Sequence, residues 1–242
     1  IGIKKDNFNF VICSKGIEIN SGLLLSEIIS SLNKDAKIAV LSGPSFARPV
    51  ASGLPTAVTI ASKNKILRKK IISIVGCKLF RPYESEDIIG VQIIGALKNI
   101  LAIASGITDG LGLEENARAA IITRGIKEIV ALSNAMGGKS ETILSLSGIG
   151  DIILTCTSES SRNYFLGKSI GLDGDLSSME IKKSSVTEGV HTSKAIFNLI
   201  KKYKLDLPIM ESVNSILNKE KNVREAVNQL LERPFTKDYL ES

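Results

Sequence analysis

Tryptophan is absent from this 242-residue chain, aromatic residues make up 5% of it, and it has a single histidine. A stacking platform for nucleobases is therefore missing. His191, without an acid and a nucleophile at readable spacing, makes no case for a histidine-based triad. The three cysteines, Cys13, Cys77 and Cys156, are odd in number and far apart, and no CxxC or Cys/His cluster accompanies them. That argues against a disulfide framework and a zinc site and predicts reduced core residues. With 6 prolines and 23% charged residues, no long stretch is polar and proline-rich enough to resist collapse. Apolar runs are broken by Lys, Ser or Gly before they reach spanning length, and the first residues lack a charged region followed by an apolar cleavable run. The expectation is a folded cytoplasmic protein with no membrane insertion.

What is present is apolar bulk and an excess of cations. Hydrophobic residues reach 43%, enough for one large core or two smaller ones. The formal charge is +6 and the sequence pI about 9.1. The lysines alternate with acids in Lys201-Lys202-Tyr203-Lys204-Leu205-Asp206 and Lys219-Glu220-Lys221, the pattern of solvated helix faces and ends. No nucleic-acid partner is expected, and a small anionic substrate is the better use of the charge.

The first third switches between strand-like and helix-like runs, as in an α/β domain. Strands are predicted at Phe8–Cys13, Lys37–Leu41, Thr56–Ile60 and Cys77–Phe80. Helices are predicted at Ser21–Leu32, capped by its serine, and at Asn64–Ile74. Four strands with intervening helices are about half of a doubly wound sheet. From about Ser85 the segments become long and helical: an almost wholly apolar Ile88–Ile107, an amphipathic Asn116–Met136, and shorter helices at Ile149–Cys156, Arg162–Ile170, Ser177–Lys183, Val190–Lys202, Ile209–Leu217 and Val223–Leu231. The fold class is α/β plus all-α: a partial doubly wound, Rossmann-type sheet over residues 1–84, followed by a helical substrate domain over 85–242. A dinucleotide-binding domain normally opens with a strand, a GxGxxG turn and a helix, and no GxGxxG occurs here.

Three segments carry candidate chemistry. Lys98 lies within a helix built mostly of Ile, Leu, Ala and Gly, where an ammonium is penalised unless something uses it. Burial of a lysine favours proton transfer, Gly95 one turn earlier leaves room for a ligand, and alanine at 98 should cost the fold little. The alternative is that Lys98 snorkels to solvent. Gly148-Ile149-Gly150-Asp151 leads to Ser160-Ser161-Arg162-Asn163 at a helix start, where a guanidinium, hydroxyls and free N–H groups can cradle phosphate while Asp151 bonds a substrate hydroxyl. A serine cap beside a surface arginine explains the same residues. Ser42-Gly43-Pro44-Ser45-Phe46-Ala47 follows a strand, at the carboxyl edge where such sheets bind ligands, with Gly43 permitting close approach and Ser45 offering a hydroxyl; a purely structural glycine-proline turn is the alternative.

These segments, together with Ser14-Lys15-Gly16-Ile17-Glu18, Gly53-Leu54-Pro55-Thr56, Gly90 to Ile100, Asn116-Ala117-Arg118-Ala119, Thr123-Arg124-Gly125 and Gly148 to Thr157, resemble the bacterial NAD(P)-dependent sn-glycerol-3-phosphate dehydrogenase family, in family order through almost the whole chain. The resemblance implies Lys98 as catalytic acid/base. It places Lys15, Gly43, Ser45, Asp151, Ser161, Arg162 and Asn163 around the substrate, and Lys15, Ala47, Arg162, Val186 and Glu188 at the cofactor, NAD or NADP. It implies interconversion of dihydroxyacetone phosphate and sn-glycerol 3-phosphate for phospholipid synthesis. Pro49 departs from the family's glutamate, so the loop there is expected to run differently. Roughly the first hundred residues of a family member, about a mononucleotide-binding half, have no counterpart. Two readings follow: a dehydrogenase whose other half comes from a separate chain or has been removed, or a catalytically inactive remnant acting as a helical dimerisation or phosphate-binding module.

Overall fold

The structure is a computed structural model, which describes residues 8–174 and 188–234. The predicted helix Ser177–Lys183 and the candidate residue Val186 lie outside the described residues. The first third contains β1 (Asn9–Ile12), α1 (Leu25–Leu32), β2 (Lys37–Ser42), α2 (Ala47–Ala51), β3 (Thr56–Ala61), α3 (Lys65–Val75) and β4 (Phe80–Ser85). The four strands form one sheet in the order β1-β2-β3-β4. Alternate residues of β2 serve opposite faces, as a pleated strand requires. Ile38 and Val40 join Ile12, Ala61, Ile88 and Val91 on one side, while Ala39 joins Ile60, Leu67 and Ile71 under α3 on the other.

This Rossmann-like sheet is mixed. β1 and β2 are parallel, as are β3 and β4, but β2 and β3 run antiparallel, with Val40 opposite Ala61 and Ser42 opposite Thr59. A parallel crossover must carry the chain back along the strand, here six residues or about 20 Å. Helix α2 has five residues and spans only about 7 Å, so the chain returns in the opposite sense. Gly43 makes that reversal: its φ is 141°, and a Cβ there would lie 3.0 Å from the Val58 Cα. Pro49 sits in the first turn of α2, where a helix has no use for its missing N–H.

Several local expectations need correction. Ser21 does not cap α1; it bonds the Glu18 carboxylate, and the helix starts after Leu24, whose N–H is taken by Glu27 at 2.7 Å. The fourth strand is not Cys77–Phe80 but the polar Phe80–Ser85. As an edge strand it needs no apolar alternation and tolerates Pro82. Only Cys156 is a core cysteine; Cys13, just beyond edge strand β1, and Cys77, in the turn before β4, are exposed.

The rest is helical: α4 (Ile88–Gly110), α5 (Glu114–Ala135), a 3₁₀ turn at Ser140–Leu144 and an irregular turn at Leu146–Gly150, then α6 (Asp151–Thr157), α7 (Arg162–Asp173), α8 (Glu188–Tyr203), α9 (Pro208–Leu217) and α10 (Val223–Leu231). Contrary to the expectation from its interruptions, α4 is long and apolar enough to cross a membrane by length and composition. It is instead the core helix: 94% of its most apolar window is buried inside the fold. Asp87 caps it, accepting from Gly90 N at 2.8 Å, while its other oxygen accepts from Lys139 N and the Thr142 hydroxyl. Ile88 and Val91 finish the core of the sheet, and Ile93, Leu97, Ile100, Leu101 and Ile103 fill the helical core.

Helix α7 packs on α4 through two glycine pairs, Gly106 and Gly110 against Gly167 and Gly171, at the four-residue spacing that puts each pair on one helix face. Backbone meets backbone there. A Cβ on Gly171 would lie 2.5 Å from the Ile107 carbonyl oxygen and 2.9 Å from the Gly110 Cα. Helix α9 has no side-chain cap of its own. Glu128 of α5 supplies one, its carboxylate accepting from Ile209 N at 2.8 Å and Met210 N at 3.0 Å.

Candidate active site

The apolar period of α4 would give any residue at 98 a buried position, and a lysine there needs partners. It finds them on the first turns of α6. Lys98 Nζ donates to Asp151 Oδ1 at 2.7 Å and to the Thr155 hydroxyl at 2.9 Å. Asp151 and Thr155 are four residues apart, hence on one face of α6, and the Thr155 hydroxyl gives its own proton to the Asp151 carbonyl at 2.6 Å. All three side chains are buried, Lys98 being 8% exposed, so the ammonium does not snorkel to solvent. Two of its three N–H groups are occupied by these partners. Among the described residues, Asp151 Oδ2 is buried with no donor.

A second ammonium lies beside this pair. Lys15 follows β1 and reaches across the carboxyl ends of β1 and β2, donating to the Leu41 carbonyl at 3.3 Å and to the Ser42 hydroxyl. Its aliphatic stem passes over Gly95, where a Cβ would come within 3.0 Å of the Lys15 Cδ. The room beside Gly95 thus holds Lys15, which corrects the expectation that it is left for a ligand. Burial draws the Lys15 ammonium down to about 8; Asp151 opposes this, the Lys98 charge adds to it, and Glu188 opposes it again.

The helix starts converge on the same place. Asn99, next to Lys98, donates to Glu188 Oε2 at 3.1 Å at the first residue of α8, and Asn163 accepts from Gly189 N at 3.1 Å. α4, α7 and α8 are thereby pinned together beside the lysines. Ser161 is the cap of α7, accepting from Tyr164 N at 3.3 Å, and Arg162 is exposed without a partner among the described residues. The cap-and-surface-arginine reading therefore describes their local bonding. Ser45 gives its hydroxyl proton to the Gly43 carbonyl at 3.0 Å, and Ala47 opens α2 on the surface. His191 is exposed on α8.

Residues 87–228 match the family described as NAD-dependent glycerol-3-phosphate dehydrogenase C-terminus, and residues 2–67 match its N-terminus counterpart. The chain belongs to this family. It is 46% identical over 225 residues to glycerol-3-phosphate dehydrogenase [NAD(P)+] of Rhodospirillum rubrum, covering 93% of this chain and 64% of that protein. To the enzyme of the same name from Parvibaculum lavamentivorans it is 45% identical, covering 93% and 68%. The crystal structure of glycerol-3-phosphate dehydrogenase from Coxiella burnetii superposes with a TM-score of 0.88 at 40% identity, over 92% of this chain and 68% of that one. The chain thus spans about two thirds of the length of these relatives.

Membership of the glycerol-3-phosphate dehydrogenase family gives the fold and the lysine pair a context, but three close partners at the site do not stand out in the sequence. Thr155 has a usable signal, its four-residue spacing from Asp151. Asn99 has only its position beside Lys98, and Ser42 only its place at the head of the Ser42-Gly43-Pro44 turn. The structure also revises the expected tolerance of alanine at 98: removing the ammonium would leave the buried Asp151 carboxylate with neither oxygen paired to a cation, a costly state.

Proposed function

We propose that this chain is the substrate-reducing part of a cytoplasmic NAD(P)-dependent glycerol-3-phosphate dehydrogenase that interconverts dihydroxyacetone phosphate and sn-glycerol 3-phosphate for glycerophospholipid synthesis. The observation that carries this reading is the buried Lys98 ammonium, held by Asp151 and Thr155 with one N–H left over, next to a second, half-buried ammonium, that of Lys15. NAD or NADP fits here, since a nicotinamide approaching at the carboxyl ends of β1 and β2 meets Lys15; bound, it supplies or accepts the hydride at C2. Lys98 donates a proton to the C2 oxygen as the carbonyl becomes an alcohol, and removes it in reverse. Asp151 orients that ammonium and offers Oδ2 to a substrate hydroxyl. Lys15 and Arg162 offset phosphate charge, with Gly43, Ser45, Ser161 and Asn163 completing the surround. Lys15, Ala47, Arg162, Val186 and Glu188 form the cofactor side.

We divide the chain accordingly into a dinucleotide-binding part, 1–84, and a substrate part, 85–242. A homodimer, and a separate chain bringing a mononucleotide-binding half, belong to the same proposal. The test is NAD(P)H oxidation by dihydroxyacetone phosphate, in a protein with a complete dinucleotide-binding domain. Lys98→Ala should lower kcat about 10²-fold or more, and Arg162→Ala should chiefly raise KM. A Lys98→Ala enzyme with near-normal kcat would overturn the role.

A further inference from the structure

Between Ser62 and Tyr83 the sequence holds seven cations, Lys63, Lys65, Arg68, Lys69, Lys70, Lys78 and Arg81, and no acid, in a chain whose net charge is only +6. Arg68 is buried and neutralised by Glu84 at 3.0 Å and Glu86 at 2.8 Å. The others are exposed, and none has an ion pair among the described residues. The helical period sorts them. Leu67, Arg68 and Ile71 face the sheet, so Lys65, Ile66, Lys69 and Ser73 lie on the outer face of α3 with Lys70 on its flank, while Ile74, seven residues on from Leu67, is exposed at the end of the helix. Ile66 and Ile74 are 78% and 69% exposed, an unusual display of branched apolar surface among lysines.

The surface continues past the helix. Ile72, Gly76, Lys78, Arg81, Pro82 and Tyr83 line a groove of about 420 Å³ between the end of α3 and edge strand β4, with the exposed Val75 and Leu79 beside it. Nothing in this surface belongs to the candidate active site. Cations alone would suit any polyanion, and the interleaved apolar side chains decide between them. A nucleic-acid groove offers them no apolar partner beyond base faces, for which Tyr83 is the one exposed ring in the segment. A bilayer interface offers both acidic headgroups to the lysines and acyl chains to the isoleucines.

We propose that the outer face of α3, together with the turn and edge strand that follow it, docks the protein on a bilayer bearing acidic headgroups. The mode is peripheral, with α3 lying along the surface.

Co-sedimentation of the 242-residue chain with vesicles tests this. Vesicles of about one third phosphatidylserine should capture it at low salt, pure phosphatidylcholine vesicles should not, and high salt should release it. Lys69→Glu/Lys70→Glu should weaken partitioning about tenfold or more, and Ile74→Ser about fivefold or more. The charge-neutral pair Lys69→Gln/Lys70→Gln gives a second, milder readout in the same direction. All three positions are exposed, and circular dichroism melts should be unchanged. Equal binding to neutral vesicles, no binding to acidic ones, or unaltered partitioning of the variants would overturn the proposal. So would tighter binding to duplex DNA than to the acidic vesicles.

Discussion

Gly171→Ala separates two opposing physical effects by sign. On helix propensity alone, alanine in α7 gains roughly 1 kcal/mol over glycine, which for a chain of this size raises the melting temperature by about 2–4 °C. The packing of α7 on α4 argues the other way. A Cβ at 171 would stand 2.5 Å from the Ile107 carbonyl oxygen and 2.9 Å from the Gly110 Cα, both backbone atoms of a buried helix that cannot rotate aside. Relief requires the helices to part by about 1 Å. That gap forfeits a quarter to a half of the dispersion attraction along the seam, and overpacking of this kind costs about 1–3 kcal/mol, sometimes more. Because the loosened seam runs the length of α7, the penalty falls at the upper end, about 3 kcal/mol, for a net loss of about 2 kcal/mol. The melting temperature should therefore fall by about 4–8 °C in a thermal denaturation followed by circular dichroism. Gly16→Ala, where a Cβ meets nothing within 4 Å, is the control and should leave it in place. A Gly171→Ala protein that melts at or above the parent temperature refutes the close-packed seam.

Other outcomes follow from buried charge. Lys98→Ala should destabilise by about 3–5 kcal/mol, because the buried Asp151 carboxylate loses its cation; adding Asp151→Asn should recover most of that in urea unfolding. If the single variant is as stable as the parent, the pair does not form. Burial, with further repulsion from Asp206 and Glu211, lifts the Glu128 carboxyl to about 7 against the bonds it accepts from Ile209 and Met210. A folded-state value above the unfolded 4.5 means that the folded protein holds the proton more tightly, so this stability is present below about pH 4.5 and lost as pH rises through 7. Glu128→Gln should flatten the decline of melting temperature between about pH 5 and 7, and an unchanged slope would place its origin elsewhere.

The long apolar period of Ile88–Ile107 and the capping serine before Arg162 are readable in the sequence because each obeys a local rule, a helical repeat in one case and an N-cap in the other. The polar Phe80–Ser85 strand is not, since an edge strand makes no demand on side-chain alternation and its apolar neighbours Cys77 and Leu79 attract the assignment instead. The reversal between β2 and β3 depends on how far a five-residue helix reaches, a length visible only once its ends are placed. At the site, Lys98 stands out as a charge in an apolar run. The side chain of Lys15, far away in sequence and laid over Gly95, cannot be located by any local signal, because its position depends on the docking of β1 against α4.

That α4 supplies apolar side chains to both cores bears on how the two parts can move. Ile88 and Val91 are committed beneath the sheet while Leu97 to Ile107 are committed among the helices, and a single continuous backbone joins them. A wholesale opening of one half against the other would have to bend that rod or strip one end of it from its packing. The chain is accordingly built like two rooms sharing one beam. Motion between them is left to side chains and short connecting turns, and the spacing between the Lys98 ammonium on the beam and the strand ends beside it is fixed.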